Sequence, residues 1–155
     1  MKIQSVSLFI LITGLFLCFS FCRTTDLEEV VTVKEVIEME GAEGLPFSSA
    51  VKFGNLLFLS GAIGVDPKTN EVVSPDVGEQ TKQCLERVGQ ILHRVDMDYS
   101  DVVNCTVYLT DLDDYAEMNK AYSAFFPEDP PARACVQVSR LVRGVKVEIS
   151  MIAAK

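Results

Sequence analysis

The chain has one histidine, His93, no Cys-x-x-Cys pair and a shortage of positive charge. Three well-separated cysteines, Cys84, Cys105 and Cys135, lie beyond the N-terminal segment. No zinc or haem spacing is present among these groups. The thiols read as small buried hydrophobes, not as a disulfide framework. His93 falls beside the apolar stripe of its helix, not in it, and reads as a solvated side chain without a catalytic partner. The 155 residues carry 14 Lys+Arg against 22 Asp+Glu. Lys2 and Arg23 precede the first acid, Asp26, so residues 24–155 hold 12 bases against 22 acids, a balance of −10. Such a surface repels phosphate backbones and argues against nucleic acid as a partner. A small anionic substrate would need a local positive group. Internal repeats and low-complexity tracts are absent as well.

Residues 1–22 differ in kind from the rest, with one charge, Lys2, and an apolar run through Phe21. The run is short for a membrane span of ~20 residues and ends abruptly. It reads as a secretory signal, with small-x-small patterns at Cys18-Phe19-Ser20 and Ser20-Phe21-Cys22. Lipid attachment at Cys22 and an uncleaved anchor are the alternatives. Each of these places the protein outside the cytoplasm, in a periplasm or cell envelope. Residues 23–30 form a polar linker, and residues 31–155 remain for one domain of roughly 120–130 residues, enough for a core.

Within that domain, residues 31–39 have strand character. Val51-Lys52-Phe53, Gly54-Asn55 and residues 56–60 read as a hairpin with the glycine-first turn suited to type II′ geometry. Residues 66–70 form a second turn. Residues 76–96 are the clearest helix: Val77, Thr81, Cys84, Leu85, Val88, Ile91, Leu92 and Val95 form one stripe. Asp76 is placed to cap it, with Glu79 where a capping box puts its acid. Residues 102–109 alternate as a strand with Val103, Cys105, Val107 and Leu109 on one face. A second helix is expected over 115–126, and two strands, 133–139 and 145–154, close the chain as a hairpin. This order makes an α+β domain with two helices on one face of a mixed sheet.

Two side chains stand out. Asn119 lies along the apolar margin of the second helix, where a buried amide without partners costs ~1–3 kcal/mol. It is either a structural hydrogen-bonder or a ligand contact. Arg133 opens a strand of small and β-branched residues after two prolines. Its guanidinium can hold a carboxylate through two parallel hydrogen bonds, or it can be an ordinary surface strand arginine.

Pro131-Ala132-Arg133-Ala134-Cys135, residues 138–141 and Val145-Lys146-Val147-Glu148-Ile149 together resemble the hallmark end of the Rid/YjgF family. Residues 57–61 ending in Ser60-Gly61, 106–111 and 119–126 agree in order, so the likeness spans about residues 33–154. It implies a chorismate-mutase-like α+β fold, a homotrimer with ligand clefts between subunits, and hydrolysis of 2-aminoacrylate and related enamine or imine acids. The matching positions would give Arg133 to the substrate carboxylate and Glu148 to the attacking water. Cys135, Ser60 and Asn119 would line the cleft. Imines of this class already hydrolyse in water, so the implied reaction needs no cofactor. Cys135 need not be a nucleophile, since no histidine is at hand to activate it.

The chain departs from the family's pattern at three places. Leu45-Pro46-Phe47 replaces a glycine-proline-tyrosine run, so Phe47 keeps an aromatic wall without the hydroxyl. Ala62 stands for a common glutamine, and Val142 for a frequent proline. These changes, with the leader, sustain an alternative from another class: an exported trimeric protein that binds a small carboxylate without catalysis. A ribonuclease reading is opposed by the −10 balance and the isolated His93.

Overall fold

The computed structural model of the protein describes residues 33–41 and 44–155. The expected leader (1–22) and linker (23–30) lie outside the described residues. One six-stranded sheet is built from β1 (Lys34–Ile37), β2 (Ala50–Phe53), β3 (Leu56–Ile63), β4 (Val102–Leu109), β5 (Ala132–Gln137) and β6 (Val147–Ala154), in the order β1-β2-β3-β6-β4-β5. Helix α1 (Val77–Arg94) follows β3, and α2 (Tyr115–Ser123) connects β4 to β5. The α+β reading with a mixed sheet and two helices is correct. No described helix is long and apolar enough to cross a membrane.

The β2–β3 hairpin turns at Gly54-Asn55, with Phe53 opposite Leu56. Gly54 takes φ 62°, a positive value at the first central position that suits glycine and matches a type II′ turn. The second turn is held by Asp66, whose Oδ1 accepts the N–H groups of Lys68 and Thr69 at 2.7 and 3.0 Å. Asp76 caps α1 by accepting the Glu79 N–H at 2.9 Å. The return half of the capping box is supplied by Ser74, whose Oγ accepts the Asp76 N–H at 3.1 Å. The helical stripe from Val77 to Leu92 is buried against Leu57, Leu59, Val107, Val147, Ile149 and Met151. Each such fully buried side chain contributes about 1.5–3 kcal/mol.

Three expectations need correction. The second helix ends at Ser123, short of residue 126, because Phe126 precedes Pro127 and a residue before proline is pushed out of helical geometry. Phe125 and Phe126 turn instead onto Tyr99, edge-on at 5.5 and 5.6 Å. In β4 the register shifts between Val102 and Asn104. Val102 is therefore inside and Val103 exposed, while Cys105, Val107 and Leu109 keep the inner face.

The last two strands are not a hairpin. β5 pairs parallel with β4 alone, as the α2 crossover requires, and β6 inserts between β3 and β4, antiparallel to both. β6 is the most buried strand in pattern, alternating buried and half-buried along its whole length, which explains its central place. β5 is an edge strand with only half-buried and exposed residues.

Candidate functional site

Strand β3 departs from regular register between Leu59 and Ala62, and the extra residue brings Ser60-Gly61 alongside β6. Bulges of this kind re-aim side chains and recur next to active sites. Ser60 is spent on structure: its Oγ donates to the Ser48 carbonyl at 2.7 Å and its N–H to the Ser49 carbonyl at 3.1 Å. Those bonds hold the segment that carries Phe47 against the sheet. Glu148 lies beside Gly61 so closely that a Cβ there would sit 2.0 Å from Oε1. Phe47, Ser60, Gly61 and Glu148 share the lining of one cavity of about 760 Å³. Burial raises the Glu148 carboxyl above its ordinary 4.5, and among the described residues no cation lies at ion-pair distance to oppose this. A carboxyl so placed can both give and take a proton near neutrality more readily than a solvated one.

Arg133 belongs to a second cluster, built where β5 meets α2. Its Nη2 donates to Asn119 Oδ1 at 2.6 Å and to the Tyr115 hydroxyl at 3.4 Å. Its guanidinium lies 4.5 Å above the Tyr122 ring and 5.9 Å from that of Tyr115. Stacking and the amide contact fix the plane of the group, while no carboxylate among the described residues pairs with it. The remaining N–H donors form the fork that a carboxylate accepts. Asn119 thus resolves as the residue that orients Arg133. Cys135 follows on the same face of β5; burial raises its thiol, with Arg133 acting in the opposite sense. The thiol of Cys105, next door, is pushed up to about 11 by burial. Both stay protonated at neutral pH, which disfavours nucleophilic use.

The register decides how the two clusters relate. Arg133 pairs with Cys105, which pairs with Met151, and all three face the helices. Glu148 pairs with Tyr108, and the alternation of side chains places it on the helix-free face. Arg133 and Glu148 of one chain therefore project from opposite faces of the sheet. Within one chain, Phe47, Ser60 and Glu148 come together, as do Asn119, Arg133 and Cys135, but the two sets do not meet. Gly61, Tyr115 and Tyr122 complete the clusters without having been singled out by sequence. Of these, Gly61 was signalled only as the neighbour of Ser60. His93 is exposed and pairs with Asp98 at 3.6 Å, away from both clusters. No group of three or more metal-binding side chains is assembled among the described residues.

The family model described as endoribonuclease L-PSP matches residues 40–155. A RutC family protein of Pyrococcus horikoshii is 46% identical over 125 residues, covering 79% of this chain and 99% of the relative. The human 2-iminobutanoate/2-iminopropanoate deaminase is 37% identical over 123 residues, covering 78% of this chain and 90% of that protein. Among solved structures, E. coli TdcF with bound serine superposes with a TM-score of 0.73 at 38% identity, covering 78% of this chain and 98% of TdcF.

Proposed function

The chain belongs to the endoribonuclease L-PSP family, the Rid/YjgF proteins, and on that premise we propose that it hydrolyses reactive 2-enamine and 2-imine acids, of the 2-aminoacrylate/2-iminopropanoate type, to 2-oxo acids and ammonia. The observation that carries the reading is the pair of half-sites: on one face of the sheet a stacked guanidinium that no carboxylate among the described residues pairs with, and on the other a half-buried carboxyl whose pKa burial raises. A relative of this chain is named for the same reaction, and another binds serine, a small amino acid with the same 2-carboxylate.

Because the halves project from opposite faces, one chain cannot offer both to a small molecule. The reading therefore includes assembly as a homotrimer, with each cleft formed by Glu148 of one copy and Arg133 of the partner subunit. The helix-free face supports this, since it leaves Phe58 and Val136 each 43% exposed and Val36 47% exposed, an apolar surface suited to a neighbouring copy.

In the cleft, Arg133 holds the substrate carboxylate and so fixes where C2 and C3 lie. The enamine takes a proton at C3, becoming an iminium at C2. Water then bonds to C2 and gives a proton to the Glu148 carboxylate. That proton passes to nitrogen; the C2 hydroxyl then gives its proton to the Glu148 carboxylate as the C–N bond breaks, so ammonia leaves and the carbonyl forms. General acid–base help of this kind typically contributes ~10²–10⁴ in rate.

The full-length protein, supplied with 2-aminoacrylate generated in situ from serine, is expected to speed pyruvate formation over background. Arg133→Ala and Glu148→Gln should each abolish the gain. Co-expressing the two variants should restore activity, because about a quarter of randomly mixed interfacial clefts keep both wild-type groups. Equal background rates for wild type and Arg133→Ala would leave the other reading, capture of a small carboxylate without turnover. We also carry the export reading of residues 1–22 into this proposal. Its test is the mass of the mature protein in membrane and soluble fractions.

A further inference from the structure

The cavity beside Glu148 is larger than 2-aminoacrylate requires, and its charges are unevenly used. Among the described residues, five charged side chains line it: Glu40, Lys68, Arg87, Arg143 and Glu148. Arg87 is already engaged, donating from Nη2 to the Glu40 carbonyl at 2.9 Å with the Glu40 carboxylate as its charge partner. Arg143 makes no ion pair among the described residues. Its side chain instead reaches the 66–70 turn, Nη1 donating to the Asn70 carbonyl at 3.3 Å. Its backbone is held at φ 58°, a conformation that residues with a Cβ adopt at a cost and that clusters at ligand sites. Asn70 ends the same turn that carries Lys68, which Asp66 fixes through two backbone N–H groups. The 66–70 and 142–144 turns are thus laced together, and Lys68 and Arg143 both line the cavity, the Asp66 carboxylate lying near enough to interact with the Lys68 charge, in a chain whose net charge is −8.

Leu45, Phe47, Ile63, Val65 and Val142 supply apolar lining to the same cavity. Low-polarity walls focus the field of the two cations into the cavity. In the assembled cleft the substrate's 2-carboxylate is already held by Arg133 of the partner subunit. We infer that this cavity takes imine acids whose side chain ends in a second carboxylate, 2-iminodicarboxylates such as 2-iminoglutarate, with Arg143 and Lys68 as the groups that read it. The inference rests on the deaminase reading for its chemistry, which is unchanged: water adds at C2, ammonia leaves, and the distal carboxylate is untouched. The cavity measures about 760 Å³ in the single chain, before a partner subunit closes it, against the ~300–1,000 Å³ usual for small-ligand sites.

The test compares 2-iminoglutarate with 2-iminopropanoate, each released in situ by an amino-acid oxidase and followed by loss of semicarbazide trapping. The full-length protein is expected to give a kcat/KM for the dicarboxylate at least equal to that for the monocarboxylate. Arg143→Gly, which suits the left-handed backbone, and Lys68→Gln should each lower that ratio, the first by about tenfold or more, as for loss of a hydrogen bond to a charged group. Titration calorimetry with 2-oxoglutarate and 2-oxobutanoate gives an independent reading, the first binding more tightly and losing its advantage in both variants. Hydrolysis of 2-iminopropanoate alone, or a ratio unmoved by Arg143→Gly, overturns the inference and spares the deaminase reading. If neither imine is hydrolysed the deaminase reading falls, and calorimetry alone decides whether the cavity prefers a dicarboxylate.

Discussion

Adding a single methyl group at Gly61 is expected to cut activity while leaving the fold intact. An ideal Cβ at Gly61 would stand 2.0 Å from Glu148 Oε1, 2.8 Å from its Cδ and 3.0 Å from its Cγ. Ordinary carbon–oxygen contact begins at about 3.3 Å, so the carboxylate must retreat by more than ~1 Å. The yielding atoms are the end of a flexible side chain, Gly61 is exposed, and its φ is not in the left-handed region. The stability change should therefore stay within about 1 kcal/mol. Misplacing a catalytic group by ~1 Å costs about a hundredfold, inside the ~10²–10⁴ that acid–base help supplies. Gly61→Ala is thus expected to lower kcat/KM on 2-iminopropanoate by about a hundredfold, near 2.7 kcal/mol of transition-state stabilisation. Combined with Glu148→Gln, the loss should equal that of Glu148→Gln alone, since both act through one carboxyl. Wild-type kcat/KM in Gly61→Ala, or losses that multiply in the double variant, would refute the role given to Glu148.

Glu148→Gln has a second signature in stability. A carboxyl whose folded pKa lies above its unfolded value favours folding below the unfolded pKa, and loses that contribution as pH rises through the folded one. Glu148 is shifted upward by burial, so Glu148→Gln should melt above the wild type at pH 7, with the two curves converging below about pH 4. Asn119→Ala removes the 2.6 Å contact that orients Arg133; KM should rise several-fold and more than kcat falls, with little loss of helix content by circular dichroism. Gln80 is 1% exposed, donating to the Ser74 carbonyl at 2.7 Å and accepting the Lys146 N–H at 2.8 Å. Gln80→Met strands both backbone groups, and denaturant titration should show a loss of about 2–4 kcal/mol. Among the described residues, the buried Tyr122 hydroxyl has no partner beyond the weak Cys105 thiol beside it. Tyr122→Phe keeps the ring under Arg133 and should leave stability unchanged or raise it by up to about 1 kcal/mol; a clear loss would show that the hydroxyl is satisfied in solution.

Local patterns in the sequence were good guides where one element decides its own fate. The stripe of α1, the Asp76 cap and the Gly54-Asn55 turn depend on neighbours a few residues away, and each lies where spacing puts it. The likeness in residues 131–154 picks out Arg133 and Glu148 from the sequence alone. Sequence failed where the answer depends on which strands become neighbours. Alternation assigns each strand two faces but not which face of one strand joins which face of another. For β5 the usual rule even misleads: Ala134 and Val136 look like the inward set, yet the register with β4 turns them away from the helices. It is Arg133 and Cys135 that face inward. The cause is α2, whose Tyr115, Asn119 and Tyr122 offer a polar and aromatic cradle that an arginine fills better than a valine would. That leaves apolar side chains on the open face of an edge strand, where a lone domain would be exposed to pairing and aggregation. The same inversion that hid the register separates Arg133 from Glu148 and leaves an apolar face to be covered. One assembly step, a second copy laid against that face, would answer both, which is why the mixed-variant rescue tests the fold and the chemistry together.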